Sequence, residues 1–257
     1  MEMNLLTIIK VGGKIVEEPE SLKKLLKDFS SIAGYKILVH GGGRLATQIA
    51  EQLGIENQMV DGRRITDEKT LKVVTMVYAG LVNKNIVAQL QALGVDAVGL
   101  TGADMDLIVS VKRPVKEIDY GMVGDVKEVN AQALTNLLNQ NFVPVLASIT
   151  HDGAGLLLNT NADTIAGEVA KALAFNFNVR LVFCFEKRGV LLDEEDENSV
   201  ISSINREEFE QYKENGVVKG GMIPKLENAF KAISAGVKEV IITRASDIST
   251  GRGTFIR

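Results

Sequence analysis

An α/β fold built on a mainly parallel sheet is what this sequence predicts, and three observations predict it. Strand-like and helix-like stretches alternate along the 257 residues, the pattern of parallel strands joined by crossovers. Two short apolar runs, Thr7-Ile8-Ile9-Lys10-Val11 and Ile37-Leu38-Val39-His40, end in glycines, Gly12-Gly13 and Gly41-Gly42-Gly43. No low-complexity linker divides the chain, so two lobes, about residues 1–150 and 151–257, are expected to share one continuous sheet.

Leu5–Val11 reads as the first strand, a largely apolar run of the kind a strand covered on both faces shows, broken by Thr7 and Lys10. Pro19–Ser30 is an amphipathic helix with Leu22, Leu25, Leu26 and Phe29 on one face. Pro19 suits its first turn, where the missing N–H costs nothing. Lys36–Val39 is the second strand, and Arg44–Leu53 a helix starting directly after the triple glycine. Its N-terminal N–H groups then face that loop, a favourable position for an anion. Met59–Ile65 reads as a short hairpin around Asp61-Gly62. Asp67 caps a long helical region, Glu68–Leu93, with a bend expected at Gly80.

Ala97–Leu100 is a strand, followed by the loop Thr101–Asp104. Leu107–Lys112 and Met122–Val129 read as an antiparallel pair on the rim of the first half. A helix, Ala131–Gln140, and a buried strand, Val143–Ala147, complete that half. Beyond His151, Leu156–Leu158 is a short apolar stretch, and Asn159-Thr160-Asn161-Ala162-Asp163 leads into a helix ending at Leu173. Arg180–Phe185 is a buried strand, Asp193–Asn198 a solvated acidic loop, and Glu207–Glu214 a helix. Gly220–Lys225 is a loop opening a helix to Ala235, and Val240–Thr243 is the last core strand. The chain has no internal repeat of solenoid period.

Composition excludes several functions. Hydrophobic residues make up 46% and charged residues 24%, ordinary for a soluble globular chain. The net charge of −4 provides no global positive field for nucleic acid or an anionic membrane. No window approaches the roughly 20 apolar residues of a membrane span. Met1–Leu6 has neither the basic n-region nor the apolar h-region of a secretory leader. The single cysteine, Cys184, rules out an internal disulfide framework and fits a reducing cytoplasm. Its apolar surroundings, Leu181–Phe185, mark it as a buried structural thiol. Two histidines and one cysteine, scattered along the chain, cannot build a zinc cluster, so no metal-ligating residue is assigned.

The glycine-ended strands carry the chemistry. Glycines at a strand exit let backbone N–H groups approach an anion closely. Lys10 beside Gly12-Gly13 adds a cation, although a surface lysine at a strand end is the commoner case. Lys225 follows Gly-Gly-Met-Ile-Pro at a helix start, where a cation is disfavoured unless something negative sits nearby. Arg63-Arg64 is either part of a solvated turn or a carboxylate clamp. Asn159-x-Asn161-x-Asp163 is either a helix cap or a set of two amides and an acid at a ligand. Gly41-x-Gly43-x-x-Ala46 with Asp61 also matches the dinucleotide fingerprint, which would make the chain a nicotinamide enzyme. That fingerprint normally occupies the first strand–helix turn, and here that turn carries Lys10-Val11-Gly12-Gly13. A Walker A loop is absent from the sequence.

Taken together and in order, these stretches resemble the amino-acid kinase family, most closely its acetylglutamate kinases. The resemblance runs through Lys10–Gly13, His40–Gly43, Asp61–Thr66, Ala97–Leu100, Asn159–Asp163, Gly221–Lys225 and Gly253-Thr254, nearly the whole chain. It implies a three-layer αβα sandwich, the carbamate kinase-like fold. Residues 1–150 would bind the acyl amino acid and dimerise, and residues 151–257 would bind ATP with Mg2+. It further implies transfer of the γ-phosphoryl group to the side-chain carboxylate of an N-acyl-L-glutamate, an early step of arginine biosynthesis. By the same resemblance Lys10 and Lys225 stabilise the transferring group and Asp163 holds them. Gly12, Gly13, Gly42 and Gly43 donate N–H groups, and Arg64 and Asn159 grip the substrate's α-carboxylate, with Asn161 beside them. Glu186, Gly189 and Lys225 lie on the nucleotide side, and Mg2+ is carried mainly by the nucleotide.

The chain departs from the family pattern in places. Arg63 stands where an apolar residue is usual, Ala103 where a lysine is common, and Phe185-Glu186-Lys187-Arg188-Gly189-Val190 replaces an Asp-containing turn. Arg63 either faces solvent or meets a second carboxylate, which would make N-succinyl-L-glutamate the acceptor. Arginine-inhibited family members carry an extra N-terminal helix that interlaces dimers into hexamers. Here Lys10 comes almost at once, so a cytoplasmic homodimer without that inhibition is expected. From another functional class, the alternative is a non-catalytic amino-acid sensor on the same fold.

Overall fold

The computed structural model describes residues 3–60, 63–248 and 250–257. The first half runs β1 (Leu5–Val11), α1 (Gly13–Glu17), α2 (Pro19–Ser30), β2 (Tyr35–His40), α3 (Gly43–Gln52), β3 (Met59–Val60) and β4 (Arg63–Arg64). A continuous helix follows: α4 (Glu68–Thr75), a π-helical segment (Met76–Val82) and α5 (Asn83–Ala92). Then come β5 (Ala97–Leu100), β6 (Ile108–Lys112), β7 (Gly124–Val129), α6 (Ala131–Asn139), β8 (Val143–Ala147) and β9 (Ile149–His151). The rest is β10 (Leu157–Asn159), α7 (Ala162–Leu173), β11 (Asn178–Phe185), β12 (Ser203–Ile204), α8 (Arg206–Glu214), α9 (Met222–Ser234), β13 (Glu239–Arg244) and β14 (Thr254–Ile256).

Eight strands form the central sheet, in the order β12-β14-β13-β11-β1-β2-β8-β5. Every neighbouring pair is parallel except β13–β14. The sheet draws strands from both halves of the chain, and β1 sits at its middle, between β11 and β2. Period-two alternation divides its side chains between two helical layers. Leu6, Ile8, Ile37 and Val39 pack with Ile165, Ala166 and Val169 of α7 and Leu226 of α9. Ile9, Val11 and Leu38 pack on the other face with Leu25, Leu26 and Phe29 of α2 and Val73, Val74 and Val77 of the long helix. Each fully buried Leu or Phe here stabilises the fold by about 1.5–3 kcal/mol. This is the αβα sandwich. A smaller sheet, β10-β9-β6-β7, includes the expected antiparallel rim pair β6–β7.

The structure corrects several readings. A short helix, α1, directly follows Gly12, where the sequence shows no periodic signal. α9 begins at Met222, so Pro224 and Lys225 lie inside its first turn rather than in the preceding loop. β3 and β4 pair as a hairpin, while its expected turn, Asp61-Gly62, falls outside the described residues. Glu68–Ala92 is long and apolar enough, by length and composition alone, to cross a membrane, which the sequence reading found nowhere. Its buried face (Val73, Val74, Val77, Tyr78, Val82, Ile86 and Leu90) packs in the core, which accounts for its apolar content.

Candidate active site

The C-terminal ends of β11, β1 and β2 lie side by side at the centre of the sheet, and the crossovers leave β1 toward β2 but β11 toward β13, so the strand order reverses between β1 and β11. In open α/β sheets this is where ligands bind. Lys10, next to last on β1, is 9% exposed. Asp163 lies in the first turn of α7, where the helix dipole favours an acid. Lys10 Nζ is 2.8 Å from Asp163 Oδ1, and Lys225 Nζ, from the first turn of α9, is 2.6 Å from Asp163 Oδ2. One carboxylate therefore joins three elements distant in sequence. Burial alone would raise the Asp163 carboxyl, but the Lys10 and Lys225 charges outweigh it and hold it at about 2. Burial and the nearby Lys10 charge lower the Lys225 ammonium, against the opposing pull of Asp163.

The two glycine loops face each other across the same point. Gly13 and Gly43 are the first residues of α1 and α3, where amides have no intrahelical acceptor. A β-carbon added to Gly13 would sit 3.7 Å from Gly43 N. Gly42 is tightly packed: a β-carbon there would lie 3.0 Å from Tyr78 Cδ1 and 3.3 Å from Val82 Cγ2, so both neighbours would have to give way. Gly42 cannot cap α3 with a side chain, and Glu17 of α1 does so instead, accepting from Leu45 N–H at 2.7 Å. Gly12 is a correction. Its N–H donates to Cys184 O of β11 at 3.3 Å, so it is already committed and unavailable to an anion.

Arg64 is buried and braces the second loop. Its guanidinium donates to Gly43 O at 2.8 Å, to Thr47 Oγ1 at 2.7 Å and to Asn57 Oδ1. It still lines the cleft, together with Lys10, Gly42, Gly43, Asn159 and Asn161. Asn159 donates to Thr66 Oγ1 at 3.0 Å. Asn161 accepts from Thr164 N–H at 3.0 Å, which makes it the cap of α7 as well as a cleft residue. Arg63 is exposed at the cleft's rim, where a second opening runs toward the loop between β6 and β7.

The nucleotide-side candidates lie apart. Glu186 is exposed on an adjoining opening with Gly12, Gly13 and Arg44, and it accepts from Lys14 Nζ at 2.8 Å. Gly189 is buried. A β-carbon there would come within 2.7 Å of Thr254 Oγ1 and 2.8 Å of Val200 Cγ1, so packing accounts for this glycine. Among the described residues no group of three His, Cys, Asp or Glu side chains is placed to hold a metal ion.

Sequence reasoning missed three cleft residues. Tyr78 lies on the π-helical segment, with its hydroxyl 3.9 Å from the β-carbon position of Gly43. Burial raises its phenol, opposed by the Arg64 charge. Arg113 and Asp125 form an ion pair across β6 and β7, with Arg113 Nε 3.1 Å from Asp125 Oδ1 and its guanidinium 5.4 Å from the Tyr120 ring centre. No motif marks them, because the smaller sheet alone brings them over the cleft. The whole arrangement concentrates positive charge and N–H donors where two anions can be aligned.

The sequence profile of the amino acid kinase family matches residues 6–244. The chain is 69% identical over 254 residues to an acetylglutamate kinase of Parabacteroides distasonis, covering 99% of this chain and 100% of that one. It is 42% identical over 254 residues to one of Methanopyrus kandleri, covering 97% and 99%. In structure it resembles carbamate kinase from Giardia lamblia bound to AMP-PNP, with a TM-score of 0.72 at 15% identity over 99% of this chain and 98% of that one. It also resembles N-acetylglutamate synthase from Neisseria gonorrhoeae complexed with coenzyme A and N-acetyl-glutamate, with a TM-score of 0.83 at 21% identity over 100% and 60%. These two likenesses speak for the fold, and the match along nearly all of the sequence speaks for descent: the chain belongs to the amino acid kinase family.

Proposed function

We propose that the protein transfers the γ-phosphoryl group of ATP to the side-chain carboxylate of an N-acyl-L-glutamate. Acetylglutamate is the acceptor in the relatives' name, and we place the step in arginine biosynthesis. The observation that carries this reading is the Lys10–Asp163–Lys225 bridge at the mouth of two glycine loops. A glutamate carboxylate has a reference pKa near 4.3, so at neutral pH the nucleophile is already ionised and needs no general base. What it needs is alignment with the phosphoryl group and neutralisation of charge.

Lys10 and Lys225 lie on either side of Asp163, which fixes their ammonium groups and leaves their remaining hydrogens for phosphoryl oxygens. The Gly13 and Gly43 amides, fixed at helix starts, are placed to donate to the same oxygens. Arg64 and Asn159 are assigned to the acceptor's α-carboxylate. Arg64 already holds Gly43 O, so acceptor binding and loop position are coupled through it. Both Asp163 oxygens are engaged by lysines, which fits Mg2+ being held by nucleotide oxygens and not by a protein cage. When bound, the ion supplies charge neutralisation on the phosphates. Residues 1–150 are assigned to the acceptor and 151–257 to the nucleotide. We further infer a cytoplasmic homodimer, supported by the lone buried Cys184 and by exposed Met76 and Leu81 on the long helix.

The succinyl acceptor suggested by Arg63 finds no support among the relatives, which carry the name acetylglutamate kinase, and it is set aside. A non-catalytic sensor would have no use for the intact lysine bridge. The test is ATP-dependent trapping by hydroxylamine of an acyl phosphate formed from N-acetyl-L-glutamate. Hydroxamate formed only with both substrates is the expected result, and none above background would overturn the proposal.

A further inference from the structure

The long helix changes its winding at Met76–Val82, where it is π-helical, a distortion often found at functional sites. This turn sets Tyr78 and Val82 against Gly42, and the next residue, Asn83, against His40. His40 ends β2, is fully buried, and immediately precedes the glycine loop. Its Nδ1 lies 2.9 Å from Gly41 O and its Nε2 lies 3.0 Å from Asn83 Nδ2. A carbonyl can only accept, so Nδ1 carries the proton and Nε2 presents a lone pair. The Asn83 amide supplies the donor that this lone pair needs, and gives its other hydrogen to Val145 O of β8 at 2.9 Å.

Both Asn83 N–H bonds are thus committed, which fixes the amide's orientation. Its Oδ1 has no hydrogen-bond partner among the described residues. It points at Gly99, where a β-carbon would lie only 1.9 Å away. A buried acceptor left unpaired is costly, so a tie between helix and sheet does not by itself explain an asparagine here. Burial holds the His40 imidazole neutral, down to about 4, against the opposing hydrogen bond to Gly41. The tautomer of a neutral histidine is set by the bond its other nitrogen makes.

We propose that Asn83 is a positioning residue of the transfer site: by donating to His40 Nε2 it selects the Nδ1–H tautomer, whose proton anchors the Gly41 carbonyl and with it the Gly42 and Gly43 amides. The inference rests on the proposed function only for what those amides bind. Asn83→Asp keeps the shape of the side chain and replaces the donor facing Nε2 by an acceptor. Asn83→Leu removes the polar group.

The chain has 2 histidines, so 15N NMR of protein labelled at histidine and glycine resolves their ring nitrogens alongside the glycine amides, and a His151→Gln variant assigns His40. The expected wild-type spectrum has His40 Nδ1 protonated and Nε2 bare. In Asn83→Asp, Nε2 becomes protonated and the Gly42 and Gly43 amide resonances move. In both variants kcat falls by up to about 100-fold, while KM for ATP stays within about twofold. An Nε2–H tautomer in the wild type overturns the inference, and this measurement needs no variant to fold. A folded Asn83→Asp with wild-type kcat and unshifted glycine amides overturns it as well. A wild-type protein without turnover counts against the proposed function alone, and the tautomer and the glycine amides still decide the inference.

Discussion

The position a β-carbon would take on Gly13 lies 3.7 Å from the amide nitrogen of Gly43. Two loops from different crossovers therefore close on one point, and a methyl group would separate them without clashing. At 3.7 Å the methyl is in ordinary van der Waals contact, and Gly13 opens a helix, where alanine is the better former. Gly13→Ala is expected to fold with an unchanged or raised melting temperature. The methyl stands where an anion must approach the Gly43 N–H, and losing one such donor costs about 100-fold in kcat. Hydroxamate assays beside thermal unfolding separate the two effects, and a fully active Gly13→Ala enzyme refutes this role for the loop pair.

Asp163→Asn removes the charge that both lysines share. The folded state should lose about 1–3 kcal/mol, since two partly buried ammonium groups keep only a neutral partner. Activity should fall further than stability, by about 100-fold or more, because the lysines lose their fixed positions. Asp163 also raises the Lys225 ammonium against burial and Lys10. In the asparagine variant the alkaline limb of the pH–kcat profile therefore moves to lower pH. An alkaline limb that stays in place would show that Lys225 is held by something else.

Much of this site was legible in the sequence, and the unread part has a common cause. β1, β2 and α2 announce themselves through local periodicity, and Lys225 is conspicuous as a cation at a helix start, whereas Lys10 and Asp163 each have an ordinary structural reading and stand out only through the family resemblance. In the sequence Gly12 and Gly13 are equivalent. What separates them is the parallel pairing of β1 with β11, which gives Gly12 N–H a partner in Cys184 O. Gly189, placed on the nucleotide side by the resemblance, is accounted for by β14, which sets Thr254 against it. Tyr78 and Asn83 read as an ordinary helical stretch, and the π-helical winding that turns them toward the glycine loop depends on packing against β2 and β8. Arg113 and Asp125 meet only after the smaller sheet forms. Each missed feature depends on a contact distant in sequence, which neither periodicity nor local motif records.

Acid should remove stability in two separable pH windows. His40 has its ordinary value of 6.5 in the unfolded chain and about 4 in the fold. Below 6.5 the unfolded state binds the extra proton first, so stability is full above that pH and falls as pH drops toward 4. The loss is about 3 kcal/mol for this shift. Asp163 lies at about 2 in the fold against 3.8 unfolded, so its contribution of about 2 kcal/mol is present above 3.8 and lost only toward pH 2. Denaturant unfolding at pH 7, 5 and 4 measures the first loss. A His40→Asn variant should show a flatter slope between pH 6.5 and 4, and an unchanged slope would contradict the assignment to His40.

Two glycines to alanine should move stability in opposite directions. At Gly99, on β5, the new β-carbon would meet Asn83 Oδ1 at 1.9 Å, Lys84 Nζ at 2.8 Å and Val87 Cγ2 at 2.9 Å. The lysine can swing away, but Asn83 is held by two hydrogen bonds and Val87 by its helix. Overpacking of this kind costs about 1–3 kcal/mol, and displacing Asn83 should also lower kcat. Gly167 lies inside α7, is buried, and has nothing within 4 Å of its β-carbon position. Alanine there lowers the conformational freedom of the unfolded chain and raises helix propensity, stabilising the fold by about 1 kcal/mol. Thermal and denaturant unfolding of the pair, with kcat for each, checks both signs. A Gly99→Ala protein as stable as the wild type would show that the β5–α5 contact is looser than its 1.9 Å approach requires.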